Sequence, residues 1–125
     1  APDALGAMLD VVWEIHSGPI FVPVVELWVA GRTDRALARE VARFEGIALS
    51  ALVGAIEEFV PAEICKPTLE FMIAAMDTLR GILISSFVDP DPTRASRRWE
   101  RAKTGLRLSA DPAITDWIAA RPSGK

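Results

Sequence analysis

One cysteine and one histidine are all that 125 residues contain, and those scarcities exclude a good deal. A lone thiol rules out an internal disulfide framework and fits a reducing compartment. Cys65 reads as a small packing residue or a harmless side chain near a helix end. With His16 as the sole imidazole the chain cannot build a structural zinc site, and it has no His-Glu-x-x-His motif, so no metal is expected. No glycine-rich loop follows a strand pattern, which removes dinucleotide and P-loop binding and leaves no cofactor to expect. A serine triad would have to recruit His16, and no Gly-x-Ser-x-Gly elbow accompanies it. Glu57 and Glu58 adjoin in sequence but point apart on a helix, so they do not form an acid/base pair. Enzyme activity is not expected.

Excess charge and a long unbroken hydrophobic run are missing too. The net charge is only −3. The densest basic run, Arg94 to Arg107, is mixed with acidic neighbours and one aromatic, as on a solvated helix face. It does not make a nucleic-acid surface, which needs clustered Lys and Arg. No stretch reaches the roughly 20 uncharged apolar residues of a spanning helix, and no basic leader precedes a cleavable apolar segment. The expectation is a soluble, cytoplasmic protein without a membrane partner. Ala1-Pro2-Asp3 is not a natural translation start, so the chain is expected to be processed or cut from something longer.

What the chain does have is apolar residues, which make up half of it. At this length it forms one domain and can bury roughly 65–70% of its unfolded surface. Two segments are apolar almost all the way round a helix. Pro19 to Ala30 carries Glu26 as its only charge, and Thr68 to Val88 carries Glu70, Asp77 and Arg80. A helix covering one core needs one apolar stripe, so these need cover on several sides. A chain this short cannot easily supply that from within, which points to a ligand cavity or a second subunit.

The periodicity predicts five to six helices and no sheet, an all-α bundle with orthogonal and antiparallel crossings. A first helix, Asp3 to His16 with Asp3 as its cap, places Leu5, Met8, Leu9, Val12 and Trp13 on one face. Ser17-Gly18-Pro19 ends it, and the second helix runs to Ala30. Thr33 caps a long helix from Asp34 to Phe59, striped by Leu37, Val41, Phe44, Ala48, Leu52, Ala55 and Phe59. Pro61 and Pro67 bracket a turn holding Cys65, and a fourth helix runs from Pro67 to Phe87. A fifth begins near Pro92 and passes Trp99, Ala102 and Leu106. Asp111-Pro112 opens a short sixth, after which 121–125 fray.

Several of these residues could line a small-molecule site, which is mostly apolar with a few polar groups. Trp13 and His16 share a face of the first helix. Phe21, Val25 and Trp28 share one on the second, and Phe44, Phe71, Met72 and Met76 could meet them. Each of these aromatics also fits plain core, and His16 also fits a C-terminal helix cap. Glu26, alone in an apolar helix, reaches solvent, meets an arginine or faces a polar ligand.

The stretch His16 to Leu37, an apolar helix ending in Leu27-Trp28 followed by the turn Arg32-Thr33-Asp34, resembles a segment common in C-terminal domains of TetR family transcriptional regulators. Thr78 to Leu83 looks like the penultimate helix of that family. The resemblance implies a helical domain that binds a small hydrophobic or aromatic effector in its interior. It also implies a homodimer in which Thr68–Phe87 and Arg94–Leu108 form a four-helix interface, with Ile73, Leu83, Ile84, Phe87, Trp99, Ala102 and Leu106 at the contact. Such regulators bind operator DNA through an N-terminal helix-turn-helix, and nothing here matches one. Two other readings stand beside it: a freestanding helical module that docks a partner protein, and a small helical enzyme working through His16 and Glu26.

Overall fold

The computed structural model describes residues 3–120. The expected start at Ala1 and Pro2 and the expected fraying of 121–125 lie outside the described residues. Among those described there are six α-helices and no strand, the all-α bundle the periodicity predicts.

Helix boundaries follow local chemistry. Asp3 caps α1 (Ala4–Ser17), its Oδ1 accepting the Gly6 N–H at 2.9 Å. The chain then bends by 69° into α2 (Phe21–Gly31). Pro23 falls in the first turn of α2, where its missing N–H leaves no helical bond unmade. The cap of α3 (Arg35–Phe59) is Asp34, which accepts the Leu37 N–H at 3.1 Å; Thr33, expected in that role, sits one residue too early. α4 (Ala62–Ser85) starts five residues before Pro67, so the turn expected around Cys65 is helix. There the Cys65 thiol donates to the Pro61 carbonyl at 3.4 Å, and Pro67, in the second turn, deprives only the Glu63 carbonyl of a partner. Asp91 accepts from the Thr93 N–H at 2.9 Å ahead of α5 (Arg94–Ser109). Asp111 accepts from the Ala113 N–H at 2.8 Å at the start of α6 (Pro112–Ala120).

α4 is the axis of the bundle. Its buried residues Ile64, Thr68, Phe71, Ala75, Leu79 and Ile82 recur at three- and four-residue steps with Met72 beside them, and α1, α3, α5 and α6 all pack on it. They meet Leu5, Leu9 and Val12 from α1, Ile56 from α3, Trp99 and Leu106 from α5, and Ile114 from α6. The N-terminal half of α3 holds α2 instead, where Gly31 and Trp28 approach Ala38 and Glu45. The sequence predicts that the chain cannot easily cover both apolar helices from within. Four neighbours share the circumference of α4, whereas α2 leaves Val22, Leu27 and Val29 exposed.

Ion pairs tie α5 to α1. Arg107 meets Asp3 at 2.5 Å and Lys103 lies 3.8 Å from Asp10. A Cβ at position 6 would touch the ends of the Asp3 and Arg107 side chains, both partly exposed and free to shift. Among the described residues no single helix is long and apolar enough to cross a membrane.

The position of α4 sets a contrast in stability. Leu79→Ala, at a fully buried site, is expected to cost about 2–5 kcal/mol. Leu108→Ala, at a site 84% exposed, is expected to change stability by no more than about 0.5 kcal/mol. Urea unfolding of the two variants checks this, and equal midpoints would contradict the central placement of α4.

Candidate functional site

Three of the aromatic and polar residues expected at a ligand site converge, but on one another. His16, in the last turn of α1, donates from Nδ1 to the Val12 carbonyl at 2.8 Å and accepts at Nε2 from Arg80 Nε of α4 at 3.0 Å. Because the arginine is always a donor, the imidazole is neutral with its proton on Nδ1. The Arg80 guanidinium lies over the Trp28 ring, 5.1 Å from its centroid, and Trp28 Nε1 donates to Glu45 Oε1 of α3 at 2.5 Å. Phe21 sits among them, its ring centroid 5.4 Å from His16, 6.2 Å from Trp28 and 6.4 Å from Phe87. This is a joint between α1, α2, α3 and α4 whose polar groups satisfy one another.

The other expected residues scatter. Val25 is buried on α2, while Glu26 is exposed to solvent on the same helix. Phe44 is exposed on α3. Trp13 and Met76 are half-buried against the core, and Phe71 lies inside it.

The residues expected at a dimer contact divide as well. Trp99 and Leu106, at 2% and 9% exposure, are core of the protomer and present no face to a second copy. They turn inward because α5 points its charged side, including Arg97, Glu100 and Arg101, to solvent. Ala102, Ile73 and Leu83 are half-buried, whereas Ile84 and Phe87 are exposed at the end of α4.

A cleft of about 500 Å³ lies elsewhere, between α1, α3, α4 and α6. α1 and α3 both rest on α4 without packing extensively on each other, and the space between them stays open. Ala4, Met8 and Val11 form one wall, and Leu52, Ala55 and Phe59 the other. Ile56, Met72 and Thr68 line it from below, with Ile114, Trp117 and Ile118 of α6 at one end. Its volume falls within the range of small-molecule sites, and among the described residues its lining carries no charged side chain. Thr68 is 3% exposed, and its hydroxyl is buried without a hydrogen-bond partner.

Of the residues expected at a ligand site, only Met72 lines this cleft. Met8 and the Leu52–Phe59 wall were legible as apolar faces, but the sequence does not tell which faces leave a gap or which hydroxyl lies beneath it. A second cleft of about 570 Å³ lies between the start of α4 and the α5–α6 turn. It is slightly larger, but it carries the carboxylates of Glu70 and Asp111, and Asp111 is engaged at the start of α6. The first cleft has the better chemistry for a ligand: mostly apolar walls, open to solvent along one side, and one buried hydroxyl without a partner. Among the described residues no three His, Cys, Asp or Glu side chains come together to hold a metal ion.

The joint makes a pH prediction. Burial holds the His16 pKa below its ordinary value of 6.5, and the Arg80 charge lowers it further against the opposing Val12 carbonyl. The folded protein therefore binds this proton less readily than the unfolded chain. The stabilisation is fully present above the unfolded value and is lost as the pH falls below it towards the folded one. The Asp3 carboxyl, held down to about 2 mainly by Arg107, does not titrate in that window. Urea midpoints are expected to be flat above pH 6.5 and to fall as the pH drops below it. The fall should vanish in His16→Gln; the same slope in that variant would contradict the assignment.

Compared with protein families, curated proteins and solved structures, the chain matches none.

Proposed function

We propose that this chain is the effector-sensing and dimerisation domain of a TetR-type transcriptional regulator, a repressor that leaves its operator when a small hydrophobic or aromatic molecule occupies the α1–α3–α4–α6 cleft. The observation that carries the reading is that cleft, lined among the described residues by uncharged and mostly apolar side chains, with the buried hydroxyl of Thr68 at its floor. The family assignment rests on the resemblance of His16–Leu37 and Thr78–Leu83. DNA would be contacted through a helix-turn-helix that no segment of these residues matches. A ligand shifts the regulator only through its differential affinity for two arrangements, so a wedge between α1 and α3 must fit one better than the other. For the dimer, the reading uses the exposed end of α4, where Ile84, Phe87 and Val88 lack cover.

One observation favours a second reading, a module that docks a partner protein. Val22, Leu27 and Val29 leave α2 apolar on its outer side, as a partner helix would require.

Two measurements separate these. Naphthalene is expected to raise the thermal unfolding midpoint of the wild-type chain and to leave Ala55→Trp, whose indole fills the cleft from an exposed position, unmoved. Sedimentation velocity at micromolar concentration is expected to show a dimer that Ile84→Glu converts to a folded monomer. A wild-type monomer indifferent to naphthalene would sink the sensing reading and leave the docking module.

A further inference from the structure

We propose that the cleft selects an electrically neutral hydrophobic molecule bearing one hydrogen-bonding oxygen, and that Thr68 Oγ1 is the group that holds that oxygen. The proposal rests on the cleft being a ligand site and adds the chemistry of its occupant.

The lining argues first for neutrality. Among the described residues none of the side chains that line the cleft is charged. A carboxylate or an ammonium seated there would lose its water without gaining a counter-ion, which disfavours both signs. Met8 and Met72, one on the α1 wall and one below, supply flexible thioether surface that adapts to a flat ring or a chain. The walls run from Ala4 to Val11 on α1 and from Leu52 to Phe59 on α3, about 10 Å of helix on each side. That is room for a molecule of fused-ring size.

The hydroxyl argues for one polar contact. Other hydroxyls of α4 and the residue after it are bonded to carbonyls of the preceding turn: Thr78 to Ala74 at 2.7 Å, Ser85 to Ile82 at 3.1 Å and Ser86 to Ile82 at 2.6 Å. Thr68 sits on the same helix and does not do this, so its Oγ1 remains buried and unpaired. Native proteins rarely leave such a group unsatisfied, because its desolvation is uncompensated. Oγ1 is itself shut off from the cleft, so a bound carbonyl or hydroxyl oxygen would satisfy it once the Thr68 side chain turns about χ1; the hydroxyl both donates and accepts. The other buried group without a partner, Trp99 Nε1, does not line the cleft.

Three probes of one shape test this: naphthalene, 2-naphthol and 2-naphthoate, titrated at pH 7.5 into the whole chain. Wild type is expected to bind 2-naphthol roughly three- to tenfold more tightly than naphthalene, the margin of one net hydrogen bond, and 2-naphthoate more weakly than either. Thr68→Val keeps the shape and removes the hydroxyl. It should bind naphthalene at least as well, lose the preference for 2-naphthol, and unfold at a higher temperature when empty. Thr68→Ser should keep the preference. If 2-naphthol is bound no more tightly than naphthalene by wild type, or if the preference survives in Thr68→Val, the anchor is overturned while the ligand site stands. Tighter binding of 2-naphthoate overturns neutrality. Failure of naphthalene to bind wild type or Thr68→Val removes the ligand site itself.

Discussion

The structure depends on the burial of α4. Seven of its side chains, from Ile64 to Ile82, are shut away from solvent, and four other helices rest on them. Each fully buried Leu, Ile, Phe or Met contributes roughly 1.5–3 kcal/mol relative to exposure, so the positions of α1, α3, α5 and α6 are set by this one helix. Helices packed on a common partner lie about 8–10 Å from its axis. Two of them close over it only if they also pack on each other. α1 and α3 do not pack extensively, so the cleft follows from how α4 is shared.

The two sides of α4 differ in how completely they are finished. At its C-terminal end Arg80 accounts for His16 and Trp28, and Glu45 accounts for the indole N–H. Opposing chemistries are matched there, and the last turn of α1 is fixed to α2 and α3 through Phe21. Towards the N-terminal end Thr68 is buried without a partner beneath an apolar gap. An unpaired hydroxyl costs about 1–3 kcal/mol, and apolar walls left apart forgo roughly 25 cal/mol for every Å² they could have buried. Closure of the gap would add stability that the chain leaves unused. A ligand that entered would gain it, which is how the packing bears on the sensing role proposed for the cleft.

Much of the fold was legible in the residues. Asp3, Gly18, Asp111 and the Asp89–Pro92 segment act locally, through caps and backbone limits, and the sequence places the corresponding boundaries within a few residues. Pro67 misleads because a proline near a helix start reads as a break, yet in the second turn it removes only one bond. The assignment of Trp99 and Leu106 to a contact between copies fails for a different reason. Periodicity identifies an apolar face but not what covers it, and here the cover is α4 of the same chain. The same limit applies to the site. His16, Phe21 and Trp28 do converge, as their spacing suggests, but into a filled joint completed by Arg80 and Glu45, whose part depends on tertiary distance. The cleft is a gap between faces, and a gap leaves no periodic trace. Thr68 is one of three hydroxyls on α4, and only the tertiary arrangement shows that it is the one left without a partner.

The most direct measurement uses the three methionines of the chain, labelled with ¹³C at the methyl group and observed by NMR while naphthalene is added. Met8 and Met72 line the cleft and Met76 packs on the core without lining it. A sensing cleft where α4 leaves α1 and α3 apart predicts progressive, saturable shifts for Met8 and Met72 together and none for Met76. Shifts at Met76 alone, or no shift at any of the three, would contradict it.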